Sequence, residues 1–202
     1  RFWNKNRRSV GSGCFGVDLN RNFQFGFAAS SDVNSRRIFK FHMNLMNFYS
    51  QPCSPNYTGP SYFSEAETQA VRDVIANYNS RLSMYLSIQA YGQQITFPYN
   101  AITIPSDRQS QFISVATAAS QAMQNSPAGR FYQIGAGGSL NGVEAGTSLD
   151  YANSVHTNLL PFTVRLPSGG SNGWDVPESQ IGGILNEAFN GFLVFARYVA
   201  TN

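Results

Sequence analysis

The chain has 202 residues, 42% of them hydrophobic and 14% aromatic, which sustains a packed core and excludes a disordered or low-complexity protein. Charged residues make up only 12%, about half the usual share, so polar surface falls to Ser, Asn, Gln and Thr, as suits an extracellular setting. The net charge of +3 rests on scattered groups, Arg7-Arg8 and Arg36-Arg37-Lys40 being the densest, with no basic aromatic stripe, which argues against a nucleic-acid partner, and no apolar run long enough for a membrane span.

In chain order, the start at Arg1 carries neither Met nor a leader and reads as a processed terminus. A Ser/Gly loop at Ser9 to Gly13 precedes "CFGVDLNRNF". The two cysteines, Cys14 and Cys53, permit one internal bridge or two buried thiols, and composition leaves both open. Phe39, Phe41, Met43 and Leu45 alternate with polar residues as in a strand, while Ile38, Phe41 and Leu45 equally fit a helix. Asn56-Tyr57-Thr58 is the single N-x-[ST] sequon and makes Asn56 a glycosylation candidate.

Ser64 and Glu67 form a capping-box pattern ahead of Ala70, Val71, Val74, Ile75 and Tyr78, which predicts an amphipathic helix. "LSMYLSIQAY" predicts a strand, and Phe112, Val115, Ala116, Ala119 and Met123 a second helix that ends at Pro127 and Gly129. "RFYQIGAGGSLNGVEAG" reads as a glycine-rich loop near its end, and Ser148 to Asn153 as a short helical turn. "PFTVRL" is a strand that carries an arginine, Arg165, where a core face is expected. From about Pro177 to Val199 a long helix should bury Ile181, Ile184, Leu185, Ala188, Phe189, Phe192, Phe195, Ala196 and Val199. Strands alternating with helices predict an α/β fold: a mixed, mainly parallel twisted sheet with helices on both faces, within one domain over 1–202.

"RFWNKNRR", "CFGVDLNRNF", "PCSPNYTGPSYFSEAE", "LSIQAYGQQITFPY", "GTSLDYA", "PFTVRL" and "VPESQI" resemble, in order and spacing, the zinc metallocarboxypeptidases of the pancreatic carboxypeptidase A type (M14). The resemblance runs from Arg1 to the last helix and covers the C-terminal part of that family's catalytic domain. It implies an N-terminal fragment of the same precursor as a noncovalent partner, because a remnant sheet would expose long unpaired edges. It also implies a Cys14–Cys53 disulfide, and it makes 30–52 a Met/Phe-rich insertion whose 38–49 stretch is core, lid or partner contact.

The family's chemistry needs zinc on two histidines and a glutamate, a carboxylate base and an arginine for the oxyanion. On the matching positions, Gln89 replaces a zinc histidine, Arg165 the catalytic glutamate and Asn4 the oxyanion arginine, while no tyrosine falls near Asn141-Gly142-Val143. The other two ligands have no counterpart here. A neutral amide is a poor Zn²⁺ ligand and a guanidinium has no acceptor, so zinc is expected to be absent and the catalytic site lost. Binding parts remain: Asn20 and Arg21 match the pair that holds a substrate's C-terminal carboxylate, Tyr91 lies in the strand motif, and Leu149 sits where side-chain preference is set.

Arg165 has two readings, a new cationic site for an anion or a structural charge paired with Glu144, Asp150 or Asp175. His42 and His156 have no metal-ligand neighbour at useful spacing and read as surface or loop residues. Three functions follow: a secreted, inactive carboxypeptidase-like protein with residual peptide or carboxylate binding, a structural, storage or assembly protein, and an active carboxypeptidase with an atypical site. Gln89 and Arg165 speak against the last.

Overall fold

The computed structural model describes residues 3–27, 50–78, 81–103, 105–127, 129–169 and 173–202. The readings placed on 28–49, including His42 and the 38–49 stretch, lie outside the described residues. Strands β1 (Ser9–Gly11) and β2 (Cys14–Phe15) pair antiparallel, so the Ser9 to Gly13 loop is a tight hairpin. A 3-10 turn, Leu19–Arg21, and helix α1, Ala66–Asn77, follow. Beyond them run β3 (Met84–Ala90), β4 (Gln94–Phe97), α2 (Gln109–Gln124), β5 (Gln133–Ala136), α3 (Gly137–Asn141), α4 (Ser148–Val155), β6 (Leu160–Leu166) and α5 (Glu178–Thr201).

The main sheet has the order β3-β6-β4-β5, with β3 and β6 parallel, β6 and β4 antiparallel, and β4 and β5 parallel. This is the mixed, mainly parallel sheet expected. Period-2 alternation divides β6 between two layers. Leu160, Phe162 and Val164 join Ile95, Phe97, Phe112, Val115, Ala119, Met123 and Phe195 in a core beneath α2 and α5. On the opposite face α1 and α4 contribute Ile75, Tyr151 and Ala152 to a second core with Phe23, Phe63 and Leu159. Phe63 and Tyr151 meet edge to face there, ring centroids 5.0 Å apart.

Several expectations are corrected. The Ser64/Glu67 capping box does not form: Glu65 occupies the cap without a side-chain bond to the helix, because its carboxylate is drawn to Ser64 Oγ, Asn6 Nδ2 and Arg8. Val74 and Tyr78 are exposed. The glycine-rich stretch opens with β5 and α3 before running into the loop expected at its end; Gly137 and Gly138 lie where any Cβ would strike the Asn100 side chain or the Tyr99, Asn100 and Ile102 carbonyls. His156 is buried, its Nε2 3.0 Å from the Ile75 carbonyl.

Helix α5 buries Ile184, Ala188 and Phe195 as predicted, with Phe192 packed against the core, but on a narrower face than expected. Ile181, Leu185 and Phe189 are exposed and Ala196 lies outside, while Ile184, Glu187, Ala188, Gly191 and Phe195 form the buried stripe. Glu187 is admitted because its carboxylate accepts from Tyr132 Oη at 2.7 Å and Arg130 at 3.0 Å, which satisfies a charge that would otherwise be expelled. Burial and this carboxylate together raise the Tyr132 phenol. Gly191 lets α5 approach α2 closely, as a Cβ there would lie 2.1 Å from Met123 Cε.

Candidate functional site

The carboxyl ends of β3 and β6 open into a cleft of about 710 Å³ lined by Asn4, Asp18, Leu19, Asn20, Arg21, Asn56, Gln89, Ala90, Tyr91, Glu144, Arg165 and Trp174. Of the residues singled out in the sequence, Asn4, Asn20, Arg21, Asn56, Gln89, Tyr91 and Arg165 therefore meet. Leu149 does not line this cleft: it is buried in the first turn of α4, beside Ser148, whose backbone N–H and hydroxyl reach Asn20 Oδ1 at 3.4 and 3.5 Å. Asn56 is half-buried on the cleft wall, and Thr58 of the same sequon is buried.

Strand register determines what surrounds Arg165. Gln89 on β3 and Gln94 on β4 are its direct neighbours across the sheet, so an amide flanks the guanidinium on each side. Gln89 donates to Ser87 Oγ at 3.1 Å. The backbone at Gly92 packs close to the aliphatic stem of Arg165, where a Cβ would press to 3.3 Å of Arg165 Cδ.

Arg21 arrives from the 3-10 turn. Asp18 caps that turn by accepting the Asn20 N–H at 3.1 Å, and Arg21 Nη1 donates to the Asn20 carbonyl at 2.9 Å. Burial pushes the Asp18 carboxyl up, Arg21 and the Asn20 N–H pull it down, and Glu144 raises it. Asn22, fully buried, anchors the whole turn. Its Nδ2 donates to the Thr58 and Ser61 carbonyls and Ser64 Oγ, and its Oδ1 accepts from Thr68 Oγ1.

Glu144 joins the two arginines. Its Oε1 lies 3.0 Å from Arg21 Nη2 and its Oε2 3.0 Å from Arg165 Nη2, with side-chain exposures of 19% for Glu144, 10% for Arg21 and 19% for Arg165. Of the three acids weighed as partners of Arg165, Glu144 is thus the one in contact. Asp150 is buried elsewhere and accepts the N–H groups of Asn100 and Ala101, clamping the end of β4 to α4. Burial outweighs those bonds and pushes its carboxyl up to about 7.

At the rim Tyr91 and Trp174 stand edge to face, centroids 5.2 Å apart and both exposed. Trp174, Asp18 and the structural roles of Asn22 and Lys5 were missed in the sequence. Lys5 is buried and its ammonium donates to the Pro52 and Ser54 carbonyls, both at 2.9 Å, with burial lowering its pKa. Only the adjacency of Asp18 to the "NRN" run signals any of these.

The Zinc carboxypeptidase model of the M14 peptidases matches residues 1–191. The chain belongs to the zinc carboxypeptidase family. It is 32% identical over 207 residues to carboxypeptidase B of Helicoverpa zea, covering 98% of this chain and 44% of that one. With carboxypeptidase B of Astacus astacus it shares 31% over 201 residues, 98% of this chain and 61% of the relative. Among solved structures, bovine thrombin-activatable fibrinolysis inhibitor, in complex with tick carboxypeptidase inhibitor, superposes with a TM-score of 0.82 at 28% identity, over 98% of this chain and 62% of its own. Carboxypeptidase A of Helicoverpa armigera gives 0.81 at 26% identity, over 99% and 46%. The chain thus spans about half the length of the relatives it matches.

Membership of this family raises the question of zinc. The donor set at the cleft does not fit it: Gln89 offers a neutral amide, and the neighbouring Arg165 is a fixed positive charge. Among the described residues no group of three or more His, Cys, Asp or Glu converges on one point. The Cys14–Cys53 disulfide implied by the resemblance is present, its Cα atoms 5.0 Å apart.

Proposed function

We propose that this chain is the C-terminal part of a secreted zinc-carboxypeptidase-fold protein that has lost zinc-dependent hydrolysis and binds ligands through a carboxylate. The observation that carries this reading is Arg165. A guanidinium at the carboxyl end of β6, beside Gln89 in register, cannot accept a proton from water and repels a metal ion. No step of hydrolysis can be written through such a pair. The same substitution leaves a cleft rich in guanidinium donors suited to carboxylates, with Tyr91 and Trp174 as an aromatic rim for an adjoining apolar group.

The disulfide supports an oxidising compartment, and no described helix is long and apolar enough to cross a membrane. A partner supplied by the N-terminal part of the same precursor is supported by β3, which among the described residues pairs only with β6, and by the exposed Ile181, Leu185 and Phe189. The test is elemental analysis of the full-length protein purified without chelators, with hydrolysis of peptides bearing C-terminal aromatic residues. The expected result is far less than one zinc per chain and no release of the terminal residue. Near-unit zinc with turnover would overturn the proposal.

A further inference from the structure

Glu144 does to Arg21 and Arg165 what a ligand carboxylate would do. We propose that it is an internal stand-in for that carboxylate, so that a ligand's anionic end enters the cleft by displacing the Glu144 side chain. The inference rests on the carboxylate-binding reading above and adds the residue that regulates it.

Four observations carry it. First, the Glu144 carboxylate divides its oxygens between two guanidiniums, one contact of 3.0 Å to each. A carboxylate facing an arginine side-on takes two parallel N–H bonds, so Glu144 is a partial occupant. Second, Arg165 Nε is buried and has no hydrogen-bond partner among the described residues; it is the donor that, with Nη2, completes the side-on pair. Third, the Glu144 backbone is pinned. Its N–H donates to the Asn100 carbonyl at 2.9 Å, and Gly146 exchanges bonds with Phe25 and Phe23 at 3.1 and 3.0 Å. Displacement therefore needs only rotation of a side chain. Fourth, Glu144 and Arg165 each keep about a fifth of their side-chain surface open to the cleft, so a ligand can reach the contact it must replace.

The ligand class is a monocarboxylate with an adjoining apolar or aromatic group, since Tyr91 and Trp174 form the rim. A ligand that brings its own carboxylate to the wild-type cleft pays the loss of two existing ion pairs, and one with no charge gains nothing from the arginines. Replacing the Glu144 carboxylate should therefore raise affinity for the acid and leave a neutral analogue unaffected.

The experiment measures binding of N-acetylphenylalanine and its C-terminal amide to the full-length wild type, Glu144→Gln and Glu144→Asp by calorimetry or NMR titration, with circular dichroism confirming the fold. Asp keeps the charge but is one methylene shorter than needed to span both arginines, so it serves if Glu144→Gln does not fold. The acid should bind each variant about tenfold more tightly than wild type, the factor carried by one modest charged hydrogen bond, with the amide indifferent. Acid binding to wild type as tight as to the folded variants would overturn the stand-in while leaving carboxylate binding intact. Absence of acid binding to wild type and folded variants alike would overturn both.

Discussion

Removing Glu144 and removing Arg165 should have unequal effects on stability, although the two residues share one ion pair. Each guanidinium–carboxylate contact at 3.0 Å is a charged hydrogen bond worth about 1.5–3 kcal/mol. All three side chains are less than a third exposed, so solvent weakens these contacts only in part. Glu144→Gln loses two charged contacts and turns an amide NH₂ toward one of the arginines, leaving two cations to repel. With relief of the carboxylate's own desolvation set against this, the net loss is about 2–4 kcal/mol. Arg165→Met loses one contact, about 1.5–3 kcal/mol, but also removes the buried Nε that lacks a partner among the described residues, a defect of about 1–3 kcal/mol. Its net effect should fall within about 1 kcal/mol of zero, and Glu144 keeps Arg21. Urea unfolding of the full-length protein, with m-values checked for constancy, measures both. Equal losses, or a larger loss for Arg165→Met, would refute the bridging role assigned to Glu144 and the orphan character of Nε.

Two further predictions concern the frame of the cleft. Asp150, pushed up to about 7 in the fold against about 4 in an unfolded chain, holds a proton between those values that the unfolded chain releases. Its contribution to stability is therefore complete below about pH 4 and lost as pH rises through about 7. Urea midpoints followed from acid to mildly alkaline pH should fall more steeply for wild type than for Asp150→Asn, and parallel profiles would mean that Asp150 is ionised throughout. Gly146→Ala places a side chain at φ +69° with its Cβ 2.3 Å from the Arg21 carbonyl oxygen. It should destabilise the protein by about 2 kcal/mol or more, and a loss under about 0.5 kcal/mol, the range of an ordinary surface change, would show that the Arg21 turn can yield.

Much of the sheet was legible because its determinants are local. "PFTVRL" alternates with the strand period, and the apolar residues of α2 recur on one face, as Phe112, Val115, Ala116, Ala119 and Met123 all prove buried. Periodicity placed Ile184, Ala188 and Phe195 of α5 correctly but drew the buried face too wide, and it could not find Glu187. Glu187 is buried against Tyr132 and Arg130, which lie 55 and 57 residues away in the chain, while Leu185 and Phe189 are exposed. The glycine-rich stretch ends in a loop as read, but its Gly137 and Gly138 belong to a short helix, where they permit close approach to the Asn100 segment that follows β4. In the cleft, the sequence supplied Gln89, Arg165, Asn20 and Arg21 through aligned motifs. It offered three acids for Arg165, and only the position of the segment between α3 and α4 selects Glu144. Trp174 and Asp18 carry no motif, so their place at the cleft is visible only in three dimensions.

The covalent ring closed by Cys14 and Cys53 has a consequence for how this chain can diversify. The bond joins positions 39 residues apart at a Cα separation of 5.0 Å, and the Lys5 ammonium grips the Pro52 and Ser54 carbonyls beside it. The exit and return of the intervening chain are thereby fixed, whatever lies between them. Lengthening such a closed segment is inexpensive, since each doubling adds only about 0.6 kcal/mol of closure entropy. Arg21 sits inside this ring, so the bond and the Lys5 grip tie the turn that carries it to the Pro52–Ser54 segment.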